Sequence, residues 1–75
     1  MLVDDHSLVR MGFRMLLADA SVSVVAEAAN GEDACQQYPR VKPDVVVMDL
    51  SMPGMGGLEA VRRLLAQDAD ARILA

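Results

Sequence analysis

The hydrophobic positions along the chain follow two different spacings. Short runs of valine and other apolar residues stop at acidic or small residues, and longer stretches between them place apolar residues three or four positions apart. The first spacing is typical of strands and the second of helices. The predicted strands are Met1–Val3, Val22–Ala28, Val45–Met48 and Ile73–Ala75.

Three amphipathic helices are predicted between these strands, the first over about Ser7–Ala18 and the second over about Glu32–Arg40. The turn signal Asn30-Gly31 precedes the second helix, and Pro43 cannot continue it. Each helix has one apolar face that we expect to pack in the core. These faces are Leu8, Met11, Met15 and Leu16 in the first helix, Ala34, Cys35, Tyr38 and Val41 in the second, and Leu58, Val61, Leu64 and Leu65 in the third.

The order of the elements predicts an α/β fold. Alternating strands and helices imply parallel strands joined by right-handed crossovers. The run Val45–Met48 is apolar throughout, which favours a strand that is buried on both faces of a parallel sheet. Asp5 and Asp49 are 44 residues apart, which accommodates two strand-helix units with short connections. The chain is therefore predicted to be a single doubly wound α/β unit.

Composition excludes several classes of function. The chain has 75 residues, of which 53% are hydrophobic and 24% charged, which is typical of one globular unit. A net charge of −4 and only two aromatic residues disfavour a nucleic-acid binder. No apolar run is long enough for a membrane helix, so no membrane partner is expected. The single Cys35 excludes an internal disulfide and a zinc knuckle, and favours a reducing cytoplasm.

Three carboxylates follow two of the predicted strands. Asp4 and Asp5 come after the first strand, and Asp49 comes after the third. Neighbouring strands lie about 4.8 Å apart, and open α/β sheets bind ligands at the carboxyl ends of their strands. Converging carboxylates repel one another and need a hard cation, Mg²⁺ or Mn²⁺. One carboxylate would then remain free as a nucleophile towards phosphorus.

Simpler interpretations exist for each of these residues taken alone. Adjacent aspartates after a strand are often helix caps, and an aspartate at the end of an apolar run is often an ordinary loop residue. His6 is interpreted as a solvent-edge residue at the start of the first helix. Cys35 and the methionines Met11, Met15 and Met48 are interpreted as core residues, and Arg62 and Arg63 as a solvated helix face.

Three segments together resemble a known family. They are Val3-Asp4-Asp5-His6 with Leu8-Val9-Arg10, Pro43-Asp44 followed by Val45–Leu50, and Met52-Pro53-Gly54-Met55-Gly56-Gly57. The combination resembles the receiver domain of two-component response regulators over the whole chain. Asp4-Asp5-His6 is similar to the NarL/LuxR-type subgroup, and Gly56–Ala60 to its GacA-type members. The resemblance implies a flavodoxin-like sheet with strand order 2-1-3-4, the receiver topology.

The resemblance also implies roles for individual residues. Asp49 resembles the phosphoacceptor that attacks the phosphohistidine of a sensor histidine kinase. Asp5 resembles the direct Mg²⁺ ligand, Asp4 the outer acid that holds metal-bound water, and the Ser51 carbonyl a backbone ligand. Gly57 is expected to supply backbone freedom at the entry to the third helix. Gly56 departs from the Asp or Asn that is common in the family.

The resemblance further implies partners and missing parts. Receivers of this type precede a helix-turn-helix domain that binds DNA, and they can dimerise. The family's Ser or Thr after the fourth strand and Lys after the fifth are not present, and the only lysine, Lys42, lies before the third strand. We therefore expect residues 1–75 to be a partial receiver domain without its fourth helix, fifth strand, fifth helix and output domain.

Two other functions remain open at this point. A phosphohydrolase of haloacid-dehalogenase type also has an aspartate after a strand, but it needs a second aspartate two residues later, where this chain has Ser51. A nucleotide-binding module needs a glycine-rich loop after the first strand, and Asp4-Asp5-His6-Ser7 is not one. A receiver fragment without activity is the third alternative.

Overall fold

The computed structural model describes all 75 residues as four parallel strands and three helices in strict alternation. The sheet has the order β2-β1-β3-β4, which confirms the predicted fold class and topology. The elements, in chain order, are β1 (Leu2–Val3), α1 (Ser7–Asp19), β2 (Glu27–Ala28), α2 (Gly31–Val41), β3 (Val46–Met48), α3 (Gly56–Gln67) and β4 (Ile73–Leu74).

The register of the central strands aligns the ends of β1 and β3. Leu2 lies beside Val47 and Val3 beside Met48, while β1 also pairs with β2 through Leu2 and Glu27. The next backbone contacts continue the ladder, because the Asp49 amide donates to the Val3 carbonyl at 2.9 Å. Asp4 and Asp49 therefore leave the sheet at the same level.

One face of the sheet is covered by α2 and α3. The buried side chains on this face come from alternate strand positions and from both helices, and they form one continuous core. The Tyr38 hydroxyl donates to the Asp68 carboxylate at 2.8 Å and joins the C-terminal ends of the two helices. The core residues are Met1, Val3, Ala28, Ala34, Tyr38, Val46, Met48, Met52, Ala60 and Leu64. We call this side the closed face.

The opposite side, which we call the open face, carries Leu2, Glu27, Val47 and Leu74 and is flanked by α1. No residue of α1 is buried, and Leu8 and Leu16 are 72% and 68% exposed. The prediction that the apolar positions of α1 pack in the core, including Met11 and Met15, was therefore wrong. The helix is apolar around most of its circumference, so the periodicity does not identify which side contacts the sheet.

The second predicted strand is also shorter than its composition indicates. Of Val22–Ala28 only Glu27–Ala28 forms a strand, and Val22 and Val25 are exposed. Strand β1 offers only two residues for pairing, so the ladder cannot extend back along the valine-rich segment. Residues with high strand propensity form a strand only where a partner strand is available for pairing.

Helix α2 contains Pro39, which removes one backbone donor from its interior. The carbonyl left without that donor belongs to Cys35, four residues earlier, and it accepts a hydrogen bond from the Gln67 side chain of α3 at 3.2 Å. Cys35 itself is half-buried and packs against the core, as predicted. The helix ends at Val41, and the next residue, Lys42, has a left-handed conformation before Pro43.

Helix α3 packs through smaller residues than predicted. Its buried positions are Gly57, Ala60 and Leu64, whereas Leu58 is exposed. Because Gly57 and Ala60 are small, α3 lies close to the sheet and to α2. The buried face of α3 is therefore different from the predicted leucine-rich face. The solvated face is as predicted, because Arg62 and Arg63 both pair with Glu59. None of the three helices has the length and apolar character needed to cross a membrane.

Candidate functional site

The acidic residues of the sequence converge at the carboxyl ends of β1 and β3. One potential ligand atom from each of Asp4, Asp5, His6 and Asp49 lies within 4.8 Å of the others. The parallel register brings them together, because β1 and β3 end beside each other. The sequence prediction that the three carboxylates share one cluster is therefore confirmed, with His6 as a fourth member.

Asp5 has an oxygen without a partner. Its Oδ1 is buried and accepts no hydrogen bond, although the side chain as a whole is 26% exposed. His6 Nδ1 lies 2.9 Å from this oxygen without hydrogen-bond geometry. A buried carboxylate oxygen without a donor is costly unless a cation neutralises it. Asp5 therefore fits a site for a hard divalent cation.

Asp4 has a structural role as well as its place in the cluster. Its Oδ1 accepts a hydrogen bond from the His6 backbone amide at 2.8 Å, and His6 Nδ1 lies 3.2 Å from the same oxygen. This is an Asx turn, which leads the chain from β1 into α1. The simpler interpretation of the aspartates as helix caps was wrong, because the N-cap of α1 is His6, which makes no side-chain cap hydrogen bond.

Asp49 is oriented by the loop that follows it. Its Oδ1 accepts hydrogen bonds from the Ser51 amide at 3.0 Å and from the Ser51 hydroxyl at 2.8 Å. These two bonds lower the pKa of Asp49 below its ordinary value of 3.8, so the group is ionised at neutral pH. Oδ2 accepts no hydrogen bond from the protein and remains available as a ligand or nucleophile.

Sequence reasoning assigned only the carbonyl of Ser51 to the site and missed its amide and hydroxyl. The signal was present in the sequence, since an aspartate two residues before a serine readily forms a local turn of this kind. The role of the Ser51 carbonyl as a metal ligand stays a prediction. The structure fixes Ser51 through the two bonds that orient Asp49.

Gly57 holds α3 against the end of β3. A Cβ atom at this position would lie 2.3 Å from the Asp49 carbonyl oxygen and 2.5 Å from the Leu50 Cα. The expectation that Gly57 provides backbone freedom was wrong, because its requirement is steric. The positive φ angles occur at Gly54 and Gly56, both +75°. Asn and Asp tolerate that conformation better than other residues with side chains.

His6 and Lys42 differ in their distance from the cluster. His6 lies at the N-terminus of α1 with most of its side chain exposed, as predicted, but it also contacts both neighbouring carboxylates. Lys42 follows α2 and lines a cleft with residues that precede β3, at the opposite end of the strands. The prediction that Lys42 cannot serve the site is confirmed.

Arg10 entered the sequence predictions only as part of the Leu8-Val9-Arg10 segment, with no role at the site, and the structure brings it there. It lines a cleft of about 510 Å³ with Asp4, His6, Asp49 and Ser51. Its guanidinium donates to the Asp4 carbonyl and to the Glu27 carboxylate. Periodicity alone could not show this, because the contact depends on the packing of α1 beside β2.

The comparisons with known proteins agree with this geometry. A family model described as the response regulator receiver domain matches residues 1–75. The response regulator GacA of Pseudomonas viridiflava is 47% identical over the full length of this chain, which spans 36% of that relative. These matches remove the phosphohydrolase and nucleotide-binding alternatives.

Solved structures give the same result for the fold. A two-component response regulator of the LuxR family from Aurantimonas sp. SI85-9A1 aligns with a TM-score of 0.93 and 50% identity, over 97% of this chain and 53% of that one. The response regulator TrrA of Thermotoga maritima, solved in complex with Mg²⁺ and BeF, aligns with a TM-score of 0.90 and 30% identity, over 96% and 62% of the two chains. With the acidic cluster between β1 and β3, the match of the family model and these likenesses show that the chain belongs to the response regulator receiver domain family.

Proposed function

We propose that this chain is a phosphoacceptor in which Asp49 receives a phosphoryl group from the phosphohistidine of a sensor histidine kinase. One observation carries the proposal: Asp49 is held through Oδ1 by Ser51, with Oδ2 free, inside a cluster where Asp5 has a buried oxygen without a donor. An Asp49 oxygen would form the new P–O bond as the P–N bond to the histidine breaks. The chain is thus modified itself and turns over no separate substrate.

The carboxylates fit a hard divalent cation, Mg²⁺ or Mn²⁺. Asp5, Asp49 and the Ser51 carbonyl would supply ligands, and Asp4 would hold a metal-bound water. A cation bound there neutralises charge on the transferring phosphoryl group. The complex of TrrA with Mg²⁺ and BeF supports this choice, since that relative has the same fold.

The proposed context follows from the relatives. GacA is a response regulator, and the LuxR-family neighbour is a two-component regulator. We infer that the whole protein controls transcription from the cytoplasm through a C-terminal helix-turn-helix domain, and that contact with DNA belongs to that domain. Dimerisation of receivers is a further proposed interaction. The expectation that residues 1–75 form a partial receiver stays a prediction, which the coding sequence on either side would test.

The direct test is phosphorylation by a small donor. The chain is incubated with Mg²⁺ and acetyl phosphate, and the mass gain is mapped to a residue. We expect a base-labile phosphoryl group on Asp49 and none in Asp49→Asn, which keeps the shape of the side chain but has no nucleophilic carboxylate. Ser51→Ala is the matched control, because it removes the hydroxyl bond to Asp49 and leaves the amide bond.

The expected rate is low. The 75 residues place no lysine at the carboxyl ends of the strands, since Lys42 lies at the other end. Loss of one preorganised donor to a developing charge typically costs about 10²–10³ in rate. Phosphate on Ser51 or Ser7, or no modification at any time point, would contradict the proposal and favour a fragment without activity.

The metal assignment is tested separately by calorimetric titration with Mg²⁺. Asp5→Asn should weaken binding most, because it removes the oxygen that lacks a protein donor. Asp4→Asn should weaken it less, because Asp4 Oδ1 is already engaged by the His6 amide. His6→Ala should leave affinity nearly unchanged. Equal losses in the Asp5 and His6 variants would show that the assignment of the ligands is wrong.

A further inference from the structure

Arg10 joins three parts of the molecule through one guanidinium. Nη1 donates to the carbonyl oxygen of Asp4, and Nε donates to Glu27 Oε1 at 3.1 Å. The side chain is only 18% exposed, compared with 47% for Arg14, which pairs with the other oxygen of Glu27. Arg10 is therefore the arginine of α1 that the fold encloses.

The position of Arg10 in α1 explains this geometry. Its backbone amide donates to the His6 carbonyl at 3.1 Å, so it lies one turn after the residue that precedes the helix. Helical side chains lean towards the N-terminus, which directs the guanidinium of Arg10 towards the acidic loop. Glu27 in β2 then fixes its orientation with a second bond.

The contact with Asp4 acts on the peptide group that links Asp4 to Asp5. At the N-terminal side of Asp4, the Asp4 amide donates a hydrogen bond to the Ala28 carbonyl at 3.1 Å. On its C-terminal side, the Asp4 carbonyl is held by Arg10. Because a peptide group is planar, fixing this carbonyl also fixes the direction in which the chain enters Asp5. Arg10 is therefore bonded to the peptide group from which Asp5 begins.

We propose that Arg10 is a positioning residue of the cation site, oriented by Glu27 and acting through the backbone of Asp4. The inference rests on the proposed function, since it assumes that the carboxylates bind a divalent cation. The positive charge of Arg10 lies near the cluster and by itself opposes the binding of a metal cation. The proposed role therefore does not follow from the charge of Arg10.

Because of this repulsion, the direction of the change in Mg²⁺ affinity distinguishes the two roles of Arg10. If Arg10 acts only as a nearby positive charge, Arg10→Met should strengthen Mg²⁺ binding. If Arg10 positions the acidic loop, the same substitution should weaken binding by about tenfold, the lower end of the effect for groups that orient metal ligands. Arg10→Lys keeps the charge but has no planar fork to span two acceptors, so it should also weaken binding, to a smaller extent.

The matched control is Arg14→Met. Arg14 lies one turn further along the same helix and pairs with the same Glu27, but it has no contact with Asp4. Calorimetric titration with Mg²⁺ should give an unchanged affinity for Arg14→Met. Thermal melting in EDTA, followed by circular dichroism, should show similar small losses for both variants. Of these two variants, Arg10→Met should reduce the rise in melting temperature on addition of Mg²⁺, and Arg14→Met should not.

Glu27→Ala tests whether the orientation of Arg10 matters. Glu27→Ala should weaken Mg²⁺ binding. The Arg10→Met/Glu27→Ala double variant should bind Mg²⁺ no more weakly than Arg10→Met alone, because both substitutions act through the same contact of Arg10 with Asp4. Unchanged or tighter binding in Arg10→Met, or an equal loss in Arg14→Met, would overturn the role of Arg10. Absence of Mg²⁺ binding in the unsubstituted chain would instead overturn the metal site itself, and this inference with it.

Discussion

The closed and open faces of the sheet are stabilised by different kinds of contact. On the closed face, α2 and α3 bury a continuous apolar core that includes Val46, Met48 and Leu64. On the open face, no residue of α1 is itself buried, and the polar contacts of α1 with the sheet are the pairs of Arg10 and Arg14 with Glu27. Burial of apolar area is the main source of stability in small domains. The closed face should therefore determine whether the chain folds, and the open face how well the acidic loop is held.

A pair of leucine substitutions gives the largest expected contrast. Leu64→Ala removes a fully buried side chain of α3 and should lower the free energy of unfolding by about 2–5 kcal/mol. Leu16→Ala makes the same change on the exposed surface of α1 and should alter it by less than about 0.5 kcal/mol. Urea titrations followed by circular dichroism measure both. Similar losses would mean that α1 is packed as firmly as α3.

A pair of glycine substitutions should have effects of opposite sign. Gly57→Ala places a methyl group against the backbone of Asp49 and Leu50 and should destabilise the chain by about 1–3 kcal/mol. Gly12→Ala, in the interior of α1, meets no atom within 4 Å and should stabilise it by roughly 0.5–1 kcal/mol. The same urea titrations apply. A stable Gly57→Ala variant would contradict the close approach of α3 to β3.

Acid should loosen α1 before it affects the closed face. The hydrogen bonds from Arg14 and Arg10 lower the pKa of Glu27 below its ordinary value of 4.5. A carboxylate with a depressed pKa contributes stability above its unfolded pKa, and that contribution is lost as the pH falls through the folded pKa. Hydrogen exchange, corrected for intrinsic rates, should show protection of α1 falling below about pH 4.5 while α2 and α3 remain protected.

Glu27→Gln is the control for this acid effect, which should be small because partly exposed ion pairs contribute only ~0–1 kcal/mol. In that variant, α1 should already be less protected at neutral pH and should lose little more in acid. A loss in acid equal to that of the unsubstituted chain would assign the effect to another carboxylate.

The extent to which sequence predicted this molecule also differs between the two faces. The strand predicted over Val45–Met48 forms over Val46–Met48, and Ala34 and Tyr38 of the predicted apolar face of α2 are buried, because clear breaks in the sequence separate these two apolar segments. Helix α1 was located correctly, but its buried side was not, because Leu8 and Leu16 are apolar without being enclosed. Periodicity shows where side chains can be buried, and the neighbouring elements determine whether they are.

The acidic cluster was predictable for a related reason. Asp4, Asp5 and Asp49 follow strands, and strand ends meet in a parallel sheet regardless of how the side chains pack. The roles of Ser51, Gly57 and Arg10 depend on distances of a few ångströms between elements. Such distances follow from the packing of the complete chain, which no local pattern encodes.

The central position of β1 has a consequence for the order of folding. This strand precedes β2 and β3 in the chain, yet it lies between them in the sheet and pairs with both. Joining Asp5 to Asp49 closes a loop of 44 residues, and the entropic cost of such closure is met only when the long-range contacts form. We therefore expect the carboxylates to stay apart and hydrated until late in folding. A cation that binds the finished cluster should slow unfolding and leave the folding rate almost unchanged.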